Sequence, residues 1–390
     1  MNLFNPYIVF MAACLLAAQA FAQSPDEYPA AVAQTTPLPA VGFAPPALFE
    51  PMETTDDRTE LTRTILKSIM VDSKDALSID NHFGDVSVSL WDRNEFRIQI
   101  VVISSSQNAD RASKALNAVR IDERQDGDTY HIKTVISNGF DGGWKKGDRR
   151  NFLQVHYRIS MPKANKLAIK NSFGNTTIPD FWAPLTVESS FGNVYGATLN
   201  NPTNKIKASF GNVSFRDVQN GSVVMSFGDL DINSGNVLSI QQTYGKLNIG
   251  ETNKVDVRTS YTDALIGAVR QSGKFKMDYA RQFRVQRIGA AADKIDVEAS
   301  YSTVALPMQS TPNCDFDVTV THGGFTYPTL PNLQLLTQPQ PATSARTITG
   351  VSITAPARTT RSRQYVGKVG NGDGPSIKVV ATYGDVRFNK

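Results

Sequence analysis

The sequence predicts an all-β protein in which repeated strands stack as a parallel β-solenoid. First, an aromatic residue recurs at intervals of 17 to 22 residues through the middle of the chain. Second, apolar and polar residues alternate on both sides of each aromatic, as they do in β-strands. Third, units this short leave no room for a helical crossover. We therefore expect each unit to form one coil whose strands pair with their equivalents about 4.8 Å away.

The N-terminus predicts export. Residues 1–22 carry no charged side chain, contain an apolar run that starts at Ile8, and end with Ala20-Phe21-Ala22. This pattern is typical of a signal peptide that is cleaved before Gln23. The apolar run, at about 15 residues, is shorter than the ~20 needed to span a bilayer. No Lys or Arg precedes the run, so two alternatives to a cleaved signal peptide remain. One is an uncleaved membrane anchor, and the other is a lipoprotein with a lipidated Cys14.

The next segments lead into the repeats. Residues 23–60 are rich in Pro and Ala, which predicts a disordered tether. Residues 61–162 are predicted to be strands and a helix that cap the solenoid. The helix is expected at Asn108–Val119, because its apolar residues fall on one face and Asn108 is a suitable cap. Strands are expected at about 129–137 and 151–161.

The repeats occupy residues 163–325, followed by an irregular insert at 326–375 and a final strand pair at 376–390. One aromatic marks each copy, and the copies outside the main array lie near the two ends. The ten aromatics are Phe83, Phe173, Phe191, Phe210, Phe227, Tyr244, Tyr261, Tyr279, Tyr301 and Tyr383. A fixed period near 20 residues indicates a repeat architecture.

Two apolar columns accompany the aromatic. Four residues before it stand Ile79, Ile169, Val187, Ile206, Val223, Ile240, Val257, Phe275, Val297 and Val379. Three residues after it stand Val86, Thr176, Val194, Val213, Leu230, Leu247, Ala264, Val304 and Val386. The copy at Tyr279 is out of step by one residue, so that Phe283 and Val285 take these roles. The columns predict the residues that face the core.

The repeated motif aromatic-Gly-Asx is interpreted as structural, forming a corner of each coil. In stacked coils the aromatics are expected to form an internal ladder. The glycine after each aromatic is expected to supply a backbone conformation that a side chain forbids. The Asp or Asn that follows is expected to tolerate left-handed geometry and to bond its own turn.

Three other architectures fit less well. A membrane barrel needs strands of about 9–11 residues with an apolar outer face, whereas these strands are shorter and their other face is polar. A propeller needs about 40–50 residues per repeat. A calcium-binding β-roll needs paired glycine-rich motifs with Asp, whereas each unit here has one Gly-Asx pair, interrupted by Lys246 and Ala280.

No catalytic, cofactor-binding or metal-binding residue is assigned, and no cofactor is expected. His322, in "THGGF", invites a catalytic interpretation, but no partner acid repeats nearby, and a turn at Gly323-Gly324 suffices to explain the motif. His82, His131 and His156 lack metal-ligand spacing. Cys314, alone after the signal segment, cannot close an internal disulfide and is expected to be a small core residue.

Charge excludes some partners and leaves others open. The net charge of +4 from 40 basic and 36 acidic residues is too mild to predict nucleic-acid binding. Two basic runs, Lys145–Arg150 and Arg358–Arg363, could contact an acidic or sulfated glycan or a lipid headgroup, although solvated loops would look the same.

The chain also resembles a known family over about residues 70–390. The segment with Tyr157, Ile159 and Pro162 leads into "SFGN" and "TYGK" units and a final "TYGDVRF". This order is similar to that of the exported putative-adhesin β-helix family of Gram-negative envelopes. The resemblance implies a right-handed parallel β-helix without known catalytic residues, located in the periplasm or at the cell surface. The Pro-rich N-terminal segment and the 326–375 insert depart from the family pattern.

The sequence therefore predicts an exported, non-catalytic, adhesin-like protein that binds or spaces something in the cell envelope. Its expected partner is an envelope polysaccharide or a surface protein, and the mature chain is expected to contain no transmembrane segment. Two alternatives stay open. One is a polysaccharide-active β-helix enzyme with its site in the inserts, and the other is an accessory or signalling component of an envelope complex.

Overall fold

The computed structural model describes residues 58–137, 152–308, 311–337 and 362–389. These residues form an all-β structure in which 23 strands and one short helix are assigned. The strands join in one hydrogen-bonded sheet that contains both parallel and antiparallel pairs. None of the helical structure within these ranges is long and apolar enough to cross a membrane. The predicted signal segment, the tether up to residue 57, the run at 145–150 and residues 358–361 lie outside the described residues.

One series of strands precedes the aromatics. It consists of β2 (Ala76–His82), β8 (Lys166–Ser172), β10 (Leu185–Ser190), β12 (Asn204–Ser209), β16 (Lys294–Ser300), β18 (Cys314–Thr321) and β22 (Ser376–Thr382). Neighbours pair in parallel and in register, so that Val187 of β10 stands between Ile169 of β8 and Ile206 of β12. Each residue therefore meets its sequence equivalent in the adjacent unit.

A second series follows the aromatics. It consists of β3 (Val86–Trp91), β9 (Thr176–Ile178), β11 (Val194–Leu199), β15 (Phe283–Ile288), β17 (Val304–Pro307), β19 (Phe325–Thr326) and β23 (Val386–Asn389). Two long strands, β13 (Val213–Met225) and β14 (Leu230–Asp278), contribute to both series. Parallel pairing again joins equivalents, for example Val194 with Val213 and Val213 with Leu230.

The two predicted apolar columns form the core. Every residue in them is buried, including Phe283 and Val285 at the unit that is out of step. Polar residues alternate with these columns along the strands, and most of them face outward. The period-2 pattern therefore identified the buried face correctly.

Antiparallel strands terminate the parallel pairing at the N-terminal side. There β6 (Thr129–Ile136) and β7 (Phe152–Pro162) pair in parallel with β2 and β3. Beyond them, β5 (Val119–Asp126) runs antiparallel to β6, and β4 (Glu95–Ser106) runs antiparallel to β7. Strand β1 (Thr59–Met70) adds antiparallel to β4. The sheet is therefore mixed, because strands of opposite direction cover the edge that a parallel stack would otherwise expose.

The predicted helix is confirmed as α1 (Ala109–Ala118). The side chain of Asn108 caps it by accepting a hydrogen bond from the Arg111 backbone N–H at 3.0 Å. Ala112 and Ala115 are its buried residues. The helix thus contributes an apolar face of two small side chains to the N-terminal strands.

The C-terminal strands do not follow the chain order. Strand β22 pairs in parallel with β16 on one side and with β18 on the other, although β18 precedes it in sequence. Likewise β23 lies between β17 and β19. The described parts of the predicted irregular insert include two strands, β20 (Leu333–Leu335) and β21 (Ser362–Val369). Strand β21 runs antiparallel to both β18 and β20 and covers that edge.

Candidate binding surface

The ten aromatics form one continuous stack of rings. Successive ring centroids lie 4.8 to 5.2 Å apart, and successive ring planes differ by 15° or less. The spacing equals the separation of paired strands, because each unit contributes one ring. Phe83 stacks on Phe173, across an intervening 90 residues of sequence, and Tyr301 stacks on Tyr383. The prediction of a ladder is confirmed.

The prediction that the ladder is internal is wrong. The rings are between 36% (Phe227) and 51% (Tyr301) exposed. Nine of the ten aromatics, all except Phe227, have left-handed backbone conformations, with φ between 50° and 64°. An extended residue at this position would point inward, like its neighbour two residues earlier. The left-handed residue reverses the alternation and turns the ring out of the core.

His322 extends the stack to an eleventh ring. Its imidazole lies 4.7 Å from the Tyr383 ring at an angle of 8°, and its φ is 56°. "THGGF" is therefore another copy of the aromatic-Gly motif, with Val318 and Val320 as its buried residues. The sequence signal was the alternating strand before His322, and we missed it because the copy has histidine instead of Phe or Tyr. We call these eleven residues the aromatic stack.

The glycine after the aromatic has the predicted backbone conformation in two units, and in the other described units its role is different. Among the stack glycines that the structure describes, a left-handed φ occurs at Gly228 and Gly245. At both of these glycines, and also at Gly174, Gly192 and Gly211, the position of a Cβ atom is occupied by the carbonyl group of the equivalent glycine in the adjacent unit. The aromatic supplies the unusual conformation in the other units, Gly228 supplies it after Phe227, and the glycine allows adjacent backbones to approach.

The Asx residue also acts between units instead of within its own turn. The side-chain oxygens of Asp85, Asn175, Asn193, Asn212 and Asp229 each accept a hydrogen bond from the backbone N–H of the equivalent residue in the next unit, at 2.8 to 3.1 Å. Lys246 donates the last of these bonds and has no side-chain acceptor to continue the series. Asp385 makes the same bond to Gly324 at the other end. These bonds satisfy backbone donors that the tight corner leaves free of strand partners.

The exposed edge of the aromatic stack changes character along its length. The first five rings, from Phe83 to Phe227, present hydrocarbon edges. The next five, from Tyr244 to Tyr383, are tyrosines, and His322 follows them. Because each ring face is covered by its neighbours, the accessible surface consists of ring edges and hydroxyl groups. Such a surface can make many equivalent weak contacts. Its side chains are alike and lie in a row, whereas a catalytic site brings different functional groups together at one point.

The other histidines do not form a metal centre. His156 Nδ1 accepts a hydrogen bond from the Asp85 backbone N–H at 3.1 Å, at the N-terminal end of the Asx series. His82 lies 3.7 Å from Asp80, and His131 is in the antiparallel pair of β5 and β6. Within the described ranges, no group of three or more His, Cys, Asp or Glu side chains is placed to hold a metal ion.

Cys314 is a buried core residue. Its sulfur lies 3.9 Å from the sulfur of Met308. Burial, together with the nearby negative charge of Asp315, raises the pKa of the Cys314 thiol to about 11. The thiol is therefore protonated at neutral pH, and the thiolate that a nucleophile requires is scarce.

Asp180 and Tyr157 also have shifted pKa values. Hydrogen bonds from Thr198 lower the pKa of the exposed Asp180 carboxyl, with a further contribution from Arg216. Burial raises the pKa of Tyr157 to about 12, and its hydroxyl lies 2.8 Å from the Thr134 hydroxyl. The Tyr157 bond is internal to the core, so we interpret it as structural.

Comparison with known proteins gives only distant similarities. No family model matches the chain, and no curated protein matches it. Solved structures with some likeness include a putative cell adhesion protein from Clostridium sporogenes, at 9% identity and a TM-score of 0.20, over 84% of this chain and 99% of that one. A putative adhesin from Bacteroides fragilis has 10% identity and a TM-score of 0.31, over 84% and 97%. A putative lipid binding protein from Parabacteroides distasonis has 10% identity and a TM-score of 0.36, over 84% and 97%. At these values the similarities support no conclusion about a ligand.

Proposed function

We propose that the protein is an exported, non-catalytic β-solenoid that binds or spaces a cell-envelope polymer in an adhesin-like role. In this proposal residues 1–22 are the signal peptide, and residues 163–325 are the main array of a right-handed parallel β-helix. The in-register parallel pairing of equivalent residues supports the solenoid. The predicted leader supports export.

The observation that carries the binding role is the exposed edge of the aromatic stack. Large apolar side chains that form a continuous exposed stripe are characteristic of interaction surfaces. Here ten such rings follow one another at 4.8 to 5.2 Å. A surface that repeats at this interval suits a polymer, since several weak contacts add along its length. Catalysis would instead require a few unlike groups at one place.

The test measures binding and turnover in the same samples. The purified full chain is incubated with insoluble peptidoglycan, chitin and acidic polysaccharide. Bound protein is measured after centrifugation, and released reducing ends are measured in the supernatant. We expect retention on at least one polymer without product formation. Steady product release that disappears when a single Asp or Glu is changed would overturn the non-catalytic assignment.

Conservative variants test whether the aromatic stack takes part. Tyr261→Phe and Tyr279→Phe remove two exposed hydroxyls and leave the rings to stack. We expect unchanged thermal unfolding and weaker retention of the double variant. Tyr157→Phe, at a buried hydroxyl, is the matched control and should retain the polymer like the unmodified chain. Full retention by the double variant would show that the tyrosine edge is not the binding surface.

A further inference from the structure

A second surface feature, separate from the aromatic stack, is a long groove over the first residues of the strands that precede the aromatics. It has a volume of about 880 Å³ and extends from Lys205 in β12 to Lys294 in β16. Between these strands it crosses β13 and β14. The ring centroids of the same units lie 4.8 to 5.0 Å apart, so the groove is roughly 25 Å long. We call it the lysine groove.

The lysine groove carries unpaired positive charge. Four lysines and two aspartates line it. Both aspartates have cationic partners, since Asp256 lies 3.5 Å from Arg258 and Asp296 lies 2.8 Å from Lys294. The remaining three lysines, at 205, 254 and 274, have no ion-pair partner within the described parts of the chain. An occupant that supplies anionic groups at intervals along the groove would pair with them.

The surface between the lysines is largely apolar and built from small residues. Val237 is 44% exposed, the buried Leu238 and Val255 lie at the base of the groove, and two glycines also line it. Register explains this composition, because Gly221 of β13 stands beside Leu238 of β14 and Lys205 stands beside Ser222. Sugar rings combine apolar C–H faces with polar edges, and such a mixed surface fits them.

We propose that the lysine groove binds an extended polysaccharide chain that carries carboxylate groups. This inference rests on the proposed function and adds to it a second site and a ligand class. The ammonium groups recognise the carboxylates, and the exposed Val237 contacts a sugar ring. Other anionic partners fit less well. None of the described residues that line the groove is aromatic, so nucleic-acid bases lack a stacking platform.

The test compares two triple variants of the full chain with equal changes of net charge. The first, Lys205→Glu with Lys254→Glu and Lys274→Glu, removes the free lysines of the groove. The second, Lys74→Glu with Lys114→Glu and Lys246→Glu, changes exposed lysines outside it. The probes are a fluorescent oligogalacturonate, a neutral malto-oligosaccharide of equal length, and vesicles that contain phosphatidylglycerol as the anionic lipid. Both variants are first checked for unchanged circular dichroism and thermal unfolding.

We expect oligogalacturonate to bind the unmodified chain and the neutral oligosaccharide to bind much more weakly. The groove variant should lose about tenfold or more in affinity, because three weak exposed ion pairs are lost together. The control variant should stay within about threefold. Binding of the unmodified chain should also weaken as salt is raised from 50 to 500 mM, since the contacts are exposed and screened.

Several results would overturn the inference. Equal losses in the two triple variants would indicate a net-charge effect and no specific groove. Full affinity in the groove variant would place the site elsewhere. Loss of binding to anionic vesicles, with oligogalacturonate binding unchanged, would assign the groove to lipid headgroups. If the groove variant keeps full affinity for oligogalacturonate while the unmodified chain is retained on envelope polymers, the groove assignment fails and the proposed function stands. If the unmodified chain is retained on no polymer, the proposed function fails as well.

Discussion

The side-chain oxygen of Asn212 accepts a hydrogen bond from the backbone N–H of Asp229 at 3.0 Å. The two residues occupy the same place in consecutive units, 17 residues apart. The bond belongs to a series in which each Asx side chain satisfies a backbone donor of the next unit. Asx residues at this corner therefore hold adjacent units together, in addition to the strand pairing on either side.

Replacement of an Asx acceptor should destabilise the fold. Asn212→Ala leaves the Asp229 N–H without its protein acceptor, and we expect a loss of about 1 kcal/mol in the free energy of unfolding. Lys246→Ala is the matched control, because Lys246 occupies the same position and its side chain accepts no such bond. Denaturant unfolding of both variants measures the difference. Equal effects would contradict the role assigned to the Asx series.

The rings of the aromatic stack should contribute less stability than rings of the core. Phe227→Ala removes stacking with Phe210 and Tyr244 from a ring that is 36% exposed, and we expect a cost of about 1–3 kcal/mol. Phe215→Ala removes a ring that is 1% exposed and should cost about 3–5 kcal/mol. Chemical denaturation compares the two. A larger loss for Phe227→Ala would indicate that the stack dominates stability.

A side chain on a stack glycine should be strongly destabilising because of its neighbour and not because of φ. In Gly211→Ala, the new Cβ would fall on the carbonyl group of Gly192, closer than the 3.0 Å limit of real Cβ contacts. We expect a cost above about 3 kcal/mol, since backbone must move. Gly127→Ala is the control, with a left-handed φ of 57° and nothing within 4 Å. It should cost only about 1–2 kcal/mol. Similar melting temperatures for the two variants would refute the steric explanation.

Cys314 should make stability depend on pH in the alkaline range. The thiol ionises at its ordinary pKa of 9.0 in the unfolded chain and at about 11 in the folded chain. The contribution is fully present below pH 9, and it is lost as pH rises toward 11, because the unfolded state releases the proton first. The loss amounts to roughly 2–3 kcal/mol. The difference in unfolding free energy between the native chain and Cys314→Ala, measured from pH 8 to 11, should change by this amount. A constant difference would contradict the shifted pKa.

The sequence predicted the buried columns correctly and misplaced the rings for one physical reason. In Ile206-Lys207-Ala208-Ser209-Phe210, alternation places Phe210 on the same face as Ile206 and Ala208. That inference holds only while the backbone stays extended. The φ of 57° at Phe210 turns the ring outward. Left-handed conformations are uncommon for aromatic residues, so the preference for glycine led us to assign the strain to Gly211.

Other features could not be read from one sequence. Strand β22 carries the same apolar pattern as its neighbours, so the pattern allows it to pair with any of them. The periodicity of the sequence therefore does not predict that β22 lies between β16 and β18. The lysine groove was missed because Lys205, Lys254 and Lys274 do not stand at one repeat position. Lys205 and Lys274 belong to one outward column, whereas Lys254 belongs to the other column across the groove.

The place of β22 has a consequence for how the chain can fold. Units up to β16 can be added one after another as the polypeptide emerges, because each pairs with its predecessor. Strand β18, however, has no parallel neighbour until residues 376–382 insert between it and β16. Closure across about 80 residues carries a greater entropic cost than addition of the next unit. We therefore expect the C-terminal part to assemble as a late cooperative step, separable in refolding kinetics from growth of the preceding units.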